Sequence, residues 1–210
     1  MKGGAKRLES GAKRLGIGAK RLVTGAKPLN NPRNIMEAIR YIVDTLLWLL
    51  TLAFVLRLLF QWVRADFRDP MADAIVRITN WLILPLRKVL PPIGKIDTAT
   101  VVAVLAVASV RTLAALSLAG EGVGDIGQFL RITVIDLAEL LLRIYLFALL
   151  LYWLTSFVSP GGYAPGVRLL SQLCEPILKP VRRIIPPIGQ IDFSVLWVSI
   201  VIGALLVLLR

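Results

Sequence analysis

Ionisable residues inside strongly apolar stretches are the residues of this sequence best placed to do chemistry. Asp44, Arg111, Glu139 and Arg143 each interrupt a run rich in Leu, Val, Ala and Ile. Charges in such surroundings are costly, so they normally pair with one another or mark an ion pathway. On a helix, Arg143 lies one turn beyond Glu139 on the same face. We therefore expect these four residues to form one intramembrane charge cluster, as a structural network or as part of an ion pathway.

A second candidate is a pair of carboxylates, Asp97 and Asp192, that end a duplicated motif. Residues 85–97 read PLRKVLPPIGKID and residues 180–192 read PVRRIIPPIGQID. Each aspartate directly precedes an apolar stretch, which is the position of a helix N-cap. The alternative interpretation is a cation site shared by both carboxylates. The motif residues are Pro85, Arg87, Pro91, Pro92, Gly94 and Asp97 in the first copy, and Pro180, Arg182, Pro186, Pro187, Gly189 and Asp192 in the second.

The composition excludes much of the usual catalytic chemistry. The chain has no histidine and one cysteine, Cys174. Imidazole bases, histidine-ligated metal sites and intramolecular disulfides are therefore excluded. No serine, cysteine or acid is spaced as a nucleophile with its base. We expect no enzymatic activity, no catalytic residue, no metal site and no cofactor.

The elements that position these residues are predicted to be membrane-spanning helices. Hydrophobic residues make up 57% of the chain and charged residues 18%, and a soluble domain of this size could not bury so much apolar surface. About 20 apolar residues are needed to cross a bilayer as a helix. Four stretches approach or exceed that length: 36–63, 98–119, 132–158 and 193–209. The expected fold is an all-α membrane protein with four transmembrane helices.

The two motif copies lie 95 residues apart, and each lies between two predicted spans. An even number of spans in each copy makes the two repeats parallel rather than inverted. The predicted domains are residues 36–119 for repeat 1, an external loop at 120–130, and residues 131–210 for repeat 2. Each repeat contains two spans, an amphipathic helix and a Pro-Pro-Ile-Gly turn.

Apolar residues at helical spacing predict the amphipathic helix that precedes each turn. The first stripe is Met71, Ile75, Ile78, Leu82, Leu86 and Val89, and the second is Leu170, Leu173, Cys174, Ile177, Val181 and Ile184. Such a helix can lie in the headgroup plane with its cations toward anionic lipid. A lid packed on the spans without lipid specificity is a second, compatible interpretation. The expected lipid-facing cations are Arg77, Lys88, Arg168, Lys179 and Arg183.

Residues 1–35 form a basic tail of heptad repeats that begin Gly-Ala-Lys. Each heptad opens with Gly and lacks a second apolar seam residue, so we expect a disordered arm rather than a coiled coil. Met36, directly before the first apolar run, is the expected start of the protein. Contact of the tail with anionic lipid or nucleic acid is the alternative, although nucleic acid is not an expected partner.

Loop charge predicts the orientation in the membrane. The loops 64–96 and 159–191 carry six and four Lys/Arg, whereas 120–130 carries none. Since basic loops remain in the cytoplasm, we expect a multi-pass protein of the plasma membrane with both loops inside and both ends outside.

The doubled motif, together with FVLRLLFQWVRADFRDP at 54–70, resembles the YggT family of bacterial inner-membrane proteins. The resemblance extends from Met36 to Arg210. It implies a small four-span inner-membrane protein linked to osmotic or other extracytoplasmic stress and to potassium homeostasis. Other relatives are linked to cell division, to nucleoid organisation and, in plastids, to haem attachment to cytochrome b6f. The family has no established catalytic residue to carry over.

Together these observations predict a non-catalytic membrane protein that supports the osmotic or extracytoplasmic stress response, or the assembly of membrane complexes. The alternative is a small cation channel or transporter component, for potassium, which the charge cluster and the internal repeat favour. The expected partners are the lipid bilayer with its anionic headgroups, a second copy of the chain, or other membrane proteins.

Overall fold

The computed structural model describes residues 32–65, 69–91, 97–120, 122, 124–158, 166–185 and 192–209. Within these ranges the regular elements are all helical. They are α1 (Pro32–Trp62), α2 (Pro70–Val89), α3 (Thr98–Ala119), α4 (Ile126–Val158), α5 (Val167–Arg182) and α6 (Phe193–Leu208). The predicted all-α class is therefore confirmed for the described part of the chain. The predicted tail up to residue 31, and Pro92, Gly94, Pro186, Pro187 and Gly189 of the two turns, lie outside the described residues.

The order of helix types occurs twice along the chain. A long apolar helix, an amphipathic helix and an apolar helix follow one another as α1–α3, the first half, and again as α4–α6, the second half. The 95-residue offset of the motif also relates the helices, because α3 begins at Thr98 and α6 at Phe193. Equivalent positions in the two halves are therefore compared with this offset.

Two helices in the described ranges are long and apolar enough to cross a bilayer, α1 over Asn34–Trp62 and α3 over Thr98–Ala119. The apolar α6 is shorter, with 16 residues. The 33 residues of α4 are also largely apolar. Apolar side chains remain exposed on all four helices, including Leu46, Val110, Phe147 and Ile200. Such surfaces are consistent with a membrane environment.

Two helices begin earlier than the sequence predicted. Helix α1 begins at Pro32, within the segment expected to be disordered. Proline fits the first helical position because the amide hydrogen that it lacks would have no helical acceptor there. Helix α4 begins at Ile126, inside the predicted 120–130 loop, and the Asp125 carbonyl accepts its first bond from Phe129 N at 3.1 Å. The connection after α3 is therefore shorter than expected.

The amphipathic helices α2 and α5 pack on the apolar helices. Helix α2 buries Ala72, Thr79 and Ile83, whereas Met71 and Ile78 of the predicted stripe are exposed. The predicted stripe is thus partly right, because Ile75, Leu82 and Leu86 pack against the buried cores, although the most buried positions are each one residue further along. Helix α5 buries part of its predicted stripe, and its buried residues are Leu169, Leu173, Cys174 and Leu178. Burial raises the pKa of the Cys174 thiol to about 12, so this thiol stays protonated and unreactive.

The chain consists of two compact units. The first ends at Ile42 and the second comprises residues 43–210. In the first unit, the side chains of residues 35–42 are exposed. In the second unit, one core joins both halves. Its largest fully buried side chains are Phe54, Leu59, Ile83, Leu149 and Leu178.

Candidate functional site

The duplicated motif forms an arginine–aspartate ion pair in each half. Arg87 Nη2 lies 2.5 Å from Asp97 Oδ2, and Arg182 Nη2 lies 2.6 Å from Asp192 Oδ2. The Nε of each arginine donates to the same oxygen, at 3.1 Å and 2.8 Å. We call Arg87–Asp97 clasp 1 and Arg182–Asp192 clasp 2, since each pair brackets one Pro-Pro-Ile-Gly segment of the sequence. The sequence identified these four residues but not their pairing, because a ten-residue separation across a turn follows no helical period.

Clasp 1 lies in a network of side-chain hydrogen bonds. Asp97 Oδ2 also accepts from Thr100 Oγ1 at 2.7 Å and from Gln61 Nε2 at 3.3 Å. Only 11% of the Asp97 side chain is exposed. Burial alone would raise the pKa of Asp97, but the hydrogen bonds from Arg87, Thr100 and Gln61 and the charge of Arg87 outweigh it, so this pKa lies below its ordinary value. Asp97 holds the N-cap position of α3, yet its side chain makes no capping bond.

Clasp 2 combines the ion pair with a true helix cap. Asp192 Oδ1 accepts from Ser194 N at 3.0 Å, which caps α6 as predicted. Arg182 Nη2 donates to Tyr152 Oη at 3.1 Å. Burial alone would lower the pKa of Arg182, but its hydrogen bonds to Tyr152 and Asp192 outweigh this effect and raise the pKa. Each aspartate has its own arginine, and among the described residues no contact joins Asp97 to Asp192 in a shared cation site.

Arg57 is a site residue that the sequence interpretation missed. It lies in α1 with only 3% of its surface exposed. Its Nη1 donates to Val76 O at 3.1 Å, Thr79 Oγ1 at 2.7 Å and Asn80 Oδ1 at 2.8 Å, all in α2. No described carboxylate forms an ion pair with it. The available sequence signal was an arginine deep in an apolar stretch. In the structure this arginine connects α1 to α2 and does not extend to solvent. The equivalent position in the second half is Tyr152.

The predicted intramembrane charge cluster divides into two groups. Arg111 Nε lies 3.4 Å from Asp44 Oδ1, and Arg111 Nη1 lies 4.0 Å from Asp136 Oδ2. Separately, Arg143 pairs with Glu139 at 2.5 Å within α4. Within the described ranges, no ion pair joins the two groups. Asp136 was not predicted as a member, although its position one turn before Glu139 on α4 could have indicated it.

Asp69 is a second residue that the sequence interpretation missed, and it connects the two halves. Its Oδ1 accepts from Met71 N at 2.9 Å at the start of α2, and its Oδ2 accepts from Gly166 N at 3.0 Å at the start of α5. Gly166 has a φ of +87°, which favours glycine. One carboxylate thus faces the positive ends of two helices. An aspartate directly before a proline was the available sequence signal for the α2 cap.

The remaining predicted residues lie at the surface. The five cations expected to face lipid are all exposed, and so are Pro85, Pro91 and Pro180 of the motif. Arg77 also pairs with Asp73 at 2.8 Å one turn away. The described residues contain no group of three or more Cys, Asp or Glu placed to hold a metal ion.

Comparison with known proteins finds one matching family model and several similar bacterial proteins. The CCB3/YggT family model matches residues 36–118 and 132–210. An uncharacterized protein of Pseudomonas aeruginosa is 39% identical over 155 residues, which cover 73% of this chain and 79% of the relative.

Two further relatives come from other bacteria. YggT of Escherichia coli K12 is 31% identical over 165 residues, covering 76% of this chain and 82% of the relative. An uncharacterized protein of Vibrio alginolyticus is 34% identical over 162 residues, covering 77% and 87%. No solved structure matches the chain. Since the family model matches most of the chain and the relatives align over about three quarters of it, the chain belongs to the CCB3/YggT family.

Proposed function

We propose that this chain is a non-catalytic protein of the bacterial inner membrane that supports the assembly of membrane complexes or the response to osmotic and other extracytoplasmic stress. The observation that carries the proposal is the pair of clasps. The ionised groups of the doubled motif bind each other across the turn, at 2.5 Å and 2.6 Å. Charged groups that bind each other stabilise the local fold, which supports a structural role for the motif.

In this proposal α1, α3, α4 and α6 cross the membrane, and the two halves are parallel repeats. Helices α2 and α5 lie in the headgroup plane, on the cytoplasmic side with the two turns, and both ends of the protein are outside. The exposed apolar side chains of the four spanning helices support this arrangement. The exposed cations of α2 and α5 support the orientation, because basic segments stay in the cytoplasm.

The surface offered to partners is the exposed side of α2 and α5. On α2, Trp81 and Ile78 are 62% and 56% exposed, and Arg77 and Lys88 are exposed beside them. Apolar and aromatic side chains next to cations suit the boundary between acyl chains and anionic headgroups. A membrane protein partner, or a second copy of the chain, would bind at the same level of the membrane.

Growth of a strain lacking its own family member, after an osmotic upshift, tests the proposal. We expect the wild-type chain to restore growth and the double variant Lys179→Glu/Arg183→Glu to fail while remaining in the membrane at the wild-type level. Glu175→Gln is the matched control, since Glu175 is an exposed residue of the same helix, and it should restore growth. Full restoration by the charge-reversed variant would refute a role for this surface.

A second candidate function is a cation channel or transporter component. Arg111 contacts two carboxyl groups, Asp44 and Asp136, so this group contains one more acidic than basic side chain. Potassium flux into proteoliposomes separates the two functions. The structural proposal expects no flux above protein-free vesicles. The alternative expects a flux that Asp136→Asn abolishes and that Arg77→Gln, at an exposed position of α2, leaves unchanged.

A further inference from the structure

Behind clasp 1, three buried polar atoms have no hydrogen-bond partner among the described residues. They are Arg57 Nε, Gln61 Oε1 and Asp97 Oδ1. The residues that carry them are neighbours. Gln61 Nε2 donates to Asp97 Oδ2 at 3.3 Å, Arg57 lies one turn before Gln61 on α1, and the charge of Asp97 acts on the Arg57 guanidinium. Leaving such atoms unpaired in a buried place is costly, so a common partner is expected.

The hydrogen-bond chemistry of the three atoms is fixed. Arg57 Nε carries a hydrogen and can only donate. Asp97 is a carboxylate with a lowered pKa, so Oδ1 can only accept. The amide of Gln61 must direct its Nε2 toward the carboxylate, which leaves Oε1 as an acceptor. The common partner must therefore accept one hydrogen bond and donate two.

This requirement excludes ions of either sign. A potassium or ammonium ion could satisfy the two oxygens, but neither can accept from Arg57 Nε, and the guanidinium repels both. A chloride ion could accept from Arg57, but it has no hydrogen to donate, and the Asp97 carboxylate repels any anion. Water accepts and donates, and buried waters in proteins typically make about three hydrogen bonds. We propose that the first half contains a water-binding site in which one water accepts from Arg57 Nε and donates to Gln61 Oε1 and Asp97 Oδ1.

The described residues of the second half do not form such a site. At the equivalent positions Arg57 is replaced by Tyr152 and Thr100 by Val195. Asp192 Oδ1 already accepts from Ser194 N. The aspartate of clasp 2 is thus satisfied by protein atoms, whereas the aspartate of clasp 1 shares a water with a buried cation. The water extends the clasp 1 network to Arg57, and through Arg57 Nη1 to Thr79 of α2.

An experimental structure of the full chain in lipid nanodiscs, at a resolution that resolves ordered waters, tests the proposal. We expect density within hydrogen-bond distance of Arg57 Nε, Gln61 Oε1 and Asp97 Oδ1, and none at the equivalent place beside Asp192. The absence of density at the first place, or a side chain in that place, would overturn it.

Salt dependence distinguishes water from an ion. The melting temperature of the purified chain should not depend on whether potassium replaces sodium at equal ionic strength. Stabilisation specific to potassium would assign the site to that ion and overturn the proposal. In the variant Gln61→Leu/Thr100→Val the density should disappear while clasp 1 remains. If that variant does not fold, the wild-type density and the salt series still decide the question.

Discussion

Clasp 1 and clasp 2 contain the same two residues at the same separation, yet their surroundings differ. Asp97 accepts from Arg87, Thr100 and Gln61 and makes no capping bond. Asp192 accepts from Arg182 and caps α6 through Ser194 N. One copy is part of a side-chain network, and the other is a capped helix start.

The difference follows from residues outside the motif. Arg57 and Thr100 of the first half are replaced by Tyr152 and Val195 in the second. Arg57 donates to α2, whereas Tyr152 accepts from the clasp arginine itself. A duplicated motif thus reproduces its ion pair, while the neighbouring helices decide what else the carboxylate binds.

Removal of each aspartate should have the largest effect, and an unequal one. Asp97→Ala removes the carboxylate that accepts from Arg87, Gln61 and Thr100, so we expect a loss of about 3 kcal/mol in the free energy of unfolding. Asp192→Ala should cost about 2 kcal/mol, because Arg182 retains Tyr152 and only the cap and the ion pair are lost. Denaturant unfolding in detergent measures both, and equal losses would contradict the difference in surroundings.

Asparagine should separate the cap from the charge. Asn caps a helix almost as well as Asp, so Asp192→Asn keeps the bond to Ser194 N and should cost about 1 kcal/mol. Asp97 has no capping bond to keep, so Asp97→Asn should cost about 2 kcal/mol. The same unfolding measurement applies. If Asp97→Asn costs less free energy of unfolding than Asp192→Asn, the hydrogen-bond network around Asp97 does not account for the stabilising effect of this residue.

Double-mutant cycles should show that the clasps act independently. The pairs Arg87→Gln/Asp97→Asn and Arg182→Gln/Asp192→Asn should each show a coupling energy of about 1 kcal/mol, as partly exposed ion pairs do. The crossed pair Arg87→Gln/Asp192→Asn is the control and should be additive within about 0.5 kcal/mol. Strong coupling in the crossed pair would instead favour a site shared by both halves.

Acidic pH should have the smallest effect, with a defined sign. The pKa of Asp97 is lowered in the folded protein, so clasp 1 stabilises the fold above the ordinary aspartate pKa of about 3.9. This contribution is lost as the pH falls through the lowered pKa. Thermal unfolding from pH 6 downward should show a loss below about pH 4 that is smaller in Arg87→Gln. An identical pH dependence in that variant would exclude Arg87 as the cause.

The helices were largely predictable from local sequence. Helix α3 was predicted at its observed bounds, Thr98–Ala119, because a mainly apolar stretch with Arg111 as its one charged residue lies between Asp97 and Gly120. The start of α4 was misplaced, since 126–131 has no clear apolar period, although Asp125 is a residue type that favours helix starts. The stripe of α2 was only partly right because apolar residues cover more than one of its faces, and only packing decides which of them are buried most.

The site was predictable in its members but not in its contacts. The sequence indicated Arg87, Asp97, Arg182 and Asp192 through repetition, and Asp44 with Arg111 as charges inside apolar stretches. It did not indicate Asp136, and it did not assign Arg57 to α2. These contacts join residues on different helices, so no local period reports them.

The sequence by itself determined the all-helical class, the repeated order of helix types and the family, because apolar length, helical periodicity and a doubled motif are properties of the chain alone. The tertiary structure decided which charges meet. Arg57 and Thr79 are 22 residues apart, and Asp69 and Gly166 are 97 apart. The distance between such groups depends on how the helices pack, and hydrogen bonds and ion pairs act only over a few ångströms.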